Sequence, residues 1–269
     1  MKGVIGSSSS PLGSSSVTTS PFVSIVSVCL NESKSVRRTI ESVLGQTNRR
    51  ALQYVFIDGG STDGTVEILQ EYRSQIDVCI SEPDHGIYSA MNKGAAHATG
   101  DYLLFLNAGD FLVVDEVIRD ASLNLPRVDL AHGRLLAPNG DKIKAVSVID
   151  PRIYLRTRTL PHQATFIRRT FFDRIDGYDE SFRVCGDYDF FVRAVFRHGA
   201  SVRFFQRDIS VFSPGGISSR ESELVEAERR RVEVQIPHRV SLRVHLASCW
   251  RRAKAFVAPA IPDDARRKA

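Results

Sequence analysis

No run of eighteen or more apolar residues occurs in the chain, so a membrane-spanning helix is not expected. The longest apolar stretches, such as Tyr54–Ile57, are strand-sized. Cysteine is scarce and scattered. Cys29, Cys79, Cys185 and Cys249 contain no C-x-x-C pair, which leaves little basis for a zinc site or a disulfide framework and fits a reducing cytoplasm. The G-x-G-x-x-G fingerprint of dehydrogenase-type dinucleotide sites is missing after the first candidate strand, and so is a P-loop lysine motif. The first twenty residues hold one lysine but no apolar segment, so a secretory signal is not expected. Their Ser/Thr density cannot build a core, and residues 1–20 are expected to be disordered.

A uniformly basic surface is also lacking. Of the net charge of +5, the stretch from Arg229 to Ala269 supplies +8 from eleven Lys/Arg against three Asp/Glu, so the remainder is about −3. A nucleic-acid partner would want a basic groove on the folded body, and none is expected. The charge defines instead a basic, helical tail, residues 221–269. On a helical wheel Leu242, Leu246, Cys249, Trp250, Ala253, Phe256 and Val257 share one side, and Arg243, Arg251 and Lys254 the other. That is the pattern of an interfacial helix, and it suggests contact with an anionic membrane surface. The competing reading is a helix that packs its stripe onto the domain. The expected location is the cytoplasm, with peripheral contact at the inner face of the cell membrane.

What is present is an alternation. Phe22–Leu30 is β-branched and apolar, a buried strand by content. Val36, Ile40, Val43 and Leu44 recur at helical spacing. Tyr54–Ile57 reads as a second strand, and Ser61–Asp63 offers cap chemistry for a helix with Val66, Ile68 and Leu69. A short strand at Val78–Ile80, a helix with Ile87, Ala90, Met91, Gly94, Ala95 and Ala98 on one face, and a strand at Tyr102–Leu106 complete the series. Strand and helix in strict alternation predict an α/β fold with a mostly parallel, Rossmann-like sheet flanked by helices. Further strands near Leu130–Leu136 and Thr165–Ile167 and a helix over Gly186–His198 follow.

Ligands of open α/β sheets collect at the carboxyl ends of the strands. Polar groups stand at four successive ends here: Asn31 and Glu32, then Asp58, then Asp84 and His85, then Asn107 and Asp110. Polar loops are common, but a carboxylate or amide at every end points to a site. With no Gly-rich phosphate cradle, such a site would bind a nucleotide through carboxylates on base and ribose and through a hard cation, Mg²⁺ or Mn²⁺, on the phosphates.

The ordered series VSIVSVCLNE, VFIDGGSTDGT, SEPDHGIYSAMNKG, GDYLLFLNAGD, PHQATF, GDYDFFVRA and GGIS resembles the family 2 glycosyltransferases of GT-A fold, over about Phe22 to Ser218. The domain is accordingly bounded at residues 21–220. The subset with DGGSTDGT, GIYSAMNKG and FLNAGD is similar to bacterial exopolysaccharide, lipopolysaccharide and glycolipid assembly enzymes of the colanic-acid type. The resemblance implies an inverting transfer of a hexose from a nucleotide diphosphate sugar to a glycan or lipid-linked acceptor. It matches Asn31 and Glu32 to the base and ribose border, Asp58 to the base, Asp84 to a second nucleotide contact, and Asn92 and Lys93 to the N-K-G element near the donor. Asn107 falls near the ribose, Asp110 at the metal, and Asp187 at the catalytic base, with Asp189 as the rival base. His162 and Gln163 border the donor sugar and acceptor. Arg193 would pair with a phosphate or a carboxylate, and Gly215–Ser218 would close over the diphosphate.

Two positions depart from the family pattern. Relatives commonly read D-x-D-D where this chain has Asn107-Ala108-Gly109-Asp110, and Glu where it has Gly186. These departures keep open an alternative, a catalytically inactive nucleotide-sugar-binding scaffold. A sugar nucleotidyltransferase is disfavoured, because the loop after the first strand is LNESKS with neither the glycines nor the arginine that chemistry needs.

Overall fold

The computed structural model describes residues 21–144, 150–214 and 222–237. Its first half alternates β1 (Val23–Cys29), α1 (Val36–Leu44), β2 (Leu52–Asp58), α2 (Thr65–Glu71), β3 (Val78–Ser81), α3 (Ile87–Ala96) and β4 (Tyr102–Phe105). β1 lies between β2 and β4, parallel to both, and β3 extends the sheet beyond β2. All seven residues of β1 are buried, as a strand covered on both faces requires. Ile25 packs on one side with Val36, Ile40 and Val43 of α1, and Val26 on the other with Ala90, Met91 and Ala95 of α3. A Cβ on Gly94 would fall 2.3 Å from Val26 Cγ1, so this glycine lets α3 close onto β1.

Beyond β4 the alternation lapses. The elements are β5 (Phe111–Leu112), α4 (Val117–Asn124), β6 (Leu130–Leu136), β7 (Lys142–Lys144), α5 (Pro151–Tyr154), β8 (Thr165–Arg168), α6 (Arg169–Arg174), α7 (Gly186–Val192), β9 (Val202–Val211) and α8 (Ser222–Glu233). Strands of the described residues form one sheet in the order β3-β2-β1-β4-β8-β6-β9-β5, with β7 beside β6. β8 is antiparallel to β4 and β6, β9 parallel to β6, and β5 antiparallel to β9. The α/β architecture with helices on both faces is as expected. The expected parallel pairing holds over β3-β2-β1-β4, and beyond β4 the sheet is mixed. The helix over Gly186–His198 is α7 followed by a π-helical turn, Arg193–Arg197.

The packed body also extends past the expected boundary at residue 220. Val232 of α8 and Ile236 just after it are buried in the core that holds Tyr188, Phe190 and Phe191. The expectations for residues 1–20, for Gly215–Ser218 and for the stripe from Leu242 to Val257 lie outside the described residues. Among the described residues no helix is long and apolar enough to cross a membrane.

Candidate active site

The loops that follow β1 and β2 are knitted to each other. Asn31 takes a left-handed backbone, φ 56°, which asparagine tolerates better than most residues. Its N–H donates to Ser61 Oγ at 2.7 Å, and its Oδ1 accepts Thr62 N–H at 2.9 Å. Glu32 N–H donates to Thr65 Oγ1 at 3.0 Å and Ser33 N–H to Asp63 Oδ2 at 3.0 Å. The Glu32 carboxylate accepts the Ser35 hydroxyl. Asp63, expected only as cap chemistry, thus also helps tie the two loops. Hydrogen bonds from the Thr65 hydroxyl and the Ser33 N–H hold it well below the usual carboxylate range.

Several residues matched to the nucleotide site are already engaged by the protein. Asp58 is fully buried. Its oxygens accept the hydroxyls of Ser61 (2.5 Å) and Ser81 (2.6 Å) and the N–H groups of Gly60 and Ser61. Burial alone would raise this carboxyl, but the Ser61 and Ser81 hydrogen bonds outweigh it and hold it below its ordinary value. Asn92 spends both donors and its acceptor across the fold, donating to Tyr178 O (2.9 Å) and Glu180 Oε1 (3.0 Å) and accepting Tyr178 N–H (3.0 Å). Arg193 finds a carboxylate: its Nε donates to Asp189 Oδ2 at 2.7 Å, and its other nitrogens hold Ile175 O and Gly177 O. Lys93 pairs with Glu82 at 2.8 Å near the surface. Asp84 is half-buried, accepts Gly86 N–H at 2.8 Å, and lies so near Gly59 that a Cβ there would sit 2.5 Å from its Oδ2.

A compact polar group forms where β4 ends and β8 begins. His162 and Gln163 belong to a 3₁₀ turn leading into β8, and antiparallel pairing sets that turn beside the carboxyl end of β4. His162 Nδ1 stands 3.2 Å from Asp187 Oδ2, and its Nε2 3.5 Å from Asn107 Nδ2. Asp187 therefore reaches this edge from α7. Asp110 is 5% exposed, and its Oδ1 accepts Ser213 N–H at 2.8 Å. Burial pushes it up to about 6, against the pull of the Ser213 N–H, the nearby His162 and a hydrogen bond from the Gln163 side chain. Asp189 is 2% exposed, bound by Arg193 and by Gln235 at 2.9 Å, and directed away from this group. Of the two candidate bases only Asp187 meets the strand-end residues.

Both departures from the family pattern have local reasons. Gly109 has φ 100°, where a side chain would strain the backbone, and its N–H is held by Thr39 Oγ1 at 2.9 Å. A Cβ on Gly186 would lie 2.7 Å from the Tyr88 ring. Among the described residues no three acidic, histidine or cysteine side chains form a metal cage. The groups at the β4 end are nonetheless hard oxygens: the buried Asp110 carboxylate and Asn107 Oδ1, which is buried and has no hydrogen-bond partner among the described residues. An oxygen-only set with one carboxylate fits Mg²⁺ or Mn²⁺ whose remaining ligands are diphosphate and water.

Comparison with known proteins identifies the family and the fold. The family model described as Glycosyl transferase family 2 matches residues 24–120. An uncharacterized glycosyltransferase of Mycobacterium tuberculosis is 33% identical over 184 residues, 66% of this chain and 70% of that protein. A PGL/p-HBAD biosynthesis glycosyltransferase of Mycobacterium bovis is 30% identical over 206 residues, 74% of this chain and 80% of its own. Among solved structures, TarS (residues 1–349) of S. aureus in complex with UDP-GlcNAc shares the fold with a TM-score of 0.65 at 18% identity, over 79% of this chain and 66% of that one. The mannosyltransferase PcManGT of Pyrobaculum calidifontis, in complex with GDP-Man and Mn²⁺, has a TM-score of 0.60 at 16% identity, over 91% of this chain and 78% of its own. With strand ends, polar group and relatives in agreement, the chain belongs to glycosyltransferase family 2 and has the GT-A fold.

Proposed function

We propose that this glycosyltransferase moves a hexose, with inversion, from a nucleotide diphosphate sugar to a glycan or lipid-linked acceptor in cell-surface polysaccharide or glycolipid assembly. The observation that carries the reading is the group Asn107–His162–Asp187 beside the buried Asp110. Asp187 Oδ takes the proton of the acceptor hydroxyl as that oxygen forms its bond to the anomeric carbon, and the bond to the diphosphate oxygen breaks on the opposite face. His162 holds the Asp187 carboxylate through Nδ1 and borders the sugar. The Asn31–Glu32 loop and Asp84 border the nucleoside. The enclosed Asp58 acts by fixing the Gly59–Ser61 turn, and Asn92 and Arg193 act by holding the Ile175–Tyr178 segment. Lys93, in the last turn of α3, would offset diphosphate charge on releasing Glu82. Asp110, with Asn107 beside it, would hold a Mg²⁺ or Mn²⁺, whose charge counters that of the leaving diphosphate.

The membership of the cell-envelope class is supported by the mycobacterial PGL/p-HBAD relative. Donor binding is supported by the nucleotide and nucleotide-sugar complexes of the fold neighbours. A thermal-shift screen of UDP, GDP and dTDP with and without Mn²⁺ tests it. One nucleotide should raise the melting temperature, and more so with Mn²⁺, because a ligand of the native state stabilises it. No shift with any nucleotide would contradict the reading.

A further inference from the structure

The turn before Asp187 lies outside any strand, and its N–H groups need acceptors from elsewhere. One side chain supplies them. Glu228 of α8, 7% exposed, accepts Arg183 N–H at 2.8 Å through Oε1, and Val184 N–H (2.9 Å) and Cys185 N–H (2.8 Å) through Oε2. From the other side the Tyr88 hydroxyl of α3 donates to Val184 O at 2.7 Å, and the Tyr88 ring fills the space a Cβ on Gly186 would need. The peptide leading to Asp187 is thus gripped on both faces.

The rest of α8 touches both flanks of the same segment. Arg229 lies 5.4 Å from the Tyr188 ring and donates to Thr157 O at 3.0 Å. Gln235, just past the helix, donates to Asp189 at 2.9 Å, and Val232 seats the helix in the core. Burying a carboxylate is unfavourable unless its oxygens are well bonded, and packing alone would be served as well by an apolar residue. The hydrogen bonds go to the backbone next to Asp187, and the carboxylate of Asp187 must meet His162 and an acceptor hydroxyl within a few tenths of an ångström to work.

We propose that Glu228 is a positioning residue for the transfer: its carboxylate fixes the 183–185 turn and thereby sets where the Asp187 carboxylate stands. The C-terminal helix then serves the transfer through this one side chain, and its other residues only seat it. This rests on the reading of Asp187 as the base. The donor-side loops are tied instead to one another, to Thr39 and to Ser213. Loosening Glu228 therefore lowers kcat and spares donor binding.

The test compares the full-length wild type with Glu228→Gln, Val232→Ala and Asp187→Asn. Competent sites are counted by UDP and GDP binding with Mn²⁺, and kcat, donor KM and melting temperature are measured. Glu228→Gln keeps the shape and loses the charge and one acceptor. It should lose about tenfold in kcat per competent site, with donor KM within about twofold, as expected for a misplaced reacting group. Val232→Ala leaves a cavity in the same helix and should lower the melting temperature while keeping kcat per competent site. If Glu228→Gln does not fold, Glu228→Asp, which shortens the reach by one methylene, carries the same comparison. Unchanged kcat in the Glu228 variant, or an equal loss in Val232→Ala, overturns the proposal. An active Asp187→Asn would instead overturn the assignment of the base.

Discussion

Asp110 carries the plainest electrostatic cost in the site. Its carboxyl is pushed up to about 6 by burial, so above that pH the free protein holds a charge that the unfolded chain would hold in water. Asp110→Asn keeps an oxygen for the Ser213 N–H and removes that charge. We expect the variant to unfold at higher temperature than the wild type at pH 7.5 without added metal, by up to about 3 kcal/mol in stability. It should also lose the Mn²⁺ dependence of activity and of nucleotide binding. A variant no more stable than the wild type, or one that still responds to Mn²⁺, contradicts the role given to Asp110. At this scale the residue types at the strand ends were legible in the sequence, but their freedom was not. Asn92 and Arg193 match a donor-site pattern, yet Asn92 is saturated by Tyr178 and Glu180, more than eighty positions away, and Arg193 by Asp189, Ile175 and Gly177. Asp189 lies one helical turn before Arg193, but the other partners emerge only in the tertiary structure. The role of Asp63 was hidden for the same reason, since the loop it holds starts thirty residues earlier.

Among the elements, the first four strands announce themselves because each is a short apolar run between polar turns, with β1, β2 and β4 buried and β3 half-buried at the sheet's edge. β9 does not. Its sequence VRFFQRDISV mixes charged and apolar residues, because its middle is exposed while its end is buried against β5 and β6. The packing of α8 on the body is hard to read in the sequence, because the helix is strongly charged and buries little beyond Glu228 and Val232. β6 holds a histidine that titrates as a stability sensor. His132 is 6% exposed, packs against Phe204 with ring centroids 5.4 Å apart, and is pushed down to about 4 by burial. Between about pH 6.5 and pH 4 the unfolded chain takes up a proton that the native protein does not. This group's contribution is therefore present above pH 6.5 and is lost as pH falls through that window, by at most about 3 kcal/mol. Asp110 works with the opposite sign over part of the range, so the wild type must be compared with His132→Phe. Urea unfolding at intervals from pH 7 to 4 should show the wild type losing stability faster than the variant. Parallel curves would contradict a buried, neutral His132.

At the scale of the whole molecule, charge is separated along the chain, with +8 from Arg229 onward and about −3 before it. Since Val232 and Ile236 belong to the core, the part of the chain proposed to meet a membrane begins after them. Full-length protein should sediment with anionic vesicles at low salt, and a chain truncated after Pro237 should fold but stay in solution. Equal binding by both, or by neither, would remove the membrane from the account. What the molecule does is decided by turnover, and one experiment reaches the central claim most directly. Wild type, Asp187→Asn and Asp189→Asn are each supplied with a panel of nucleotide diphosphate sugars, Mn²⁺ and candidate glycan and lipid-linked acceptors, and acceptor-dependent release of nucleotide diphosphate is followed. The account predicts release by the wild type with at least one donor. Asp187→Asn should bind that donor normally yet turn over at least about a hundredfold more slowly, as loss of a general base dictates. Asp189→Asn should be weakened in stability, having lost charge balance with the half-buried Arg193. Near-normal turnover by Asp187→Asn, or no release by the wild type with any donor, would contradict it.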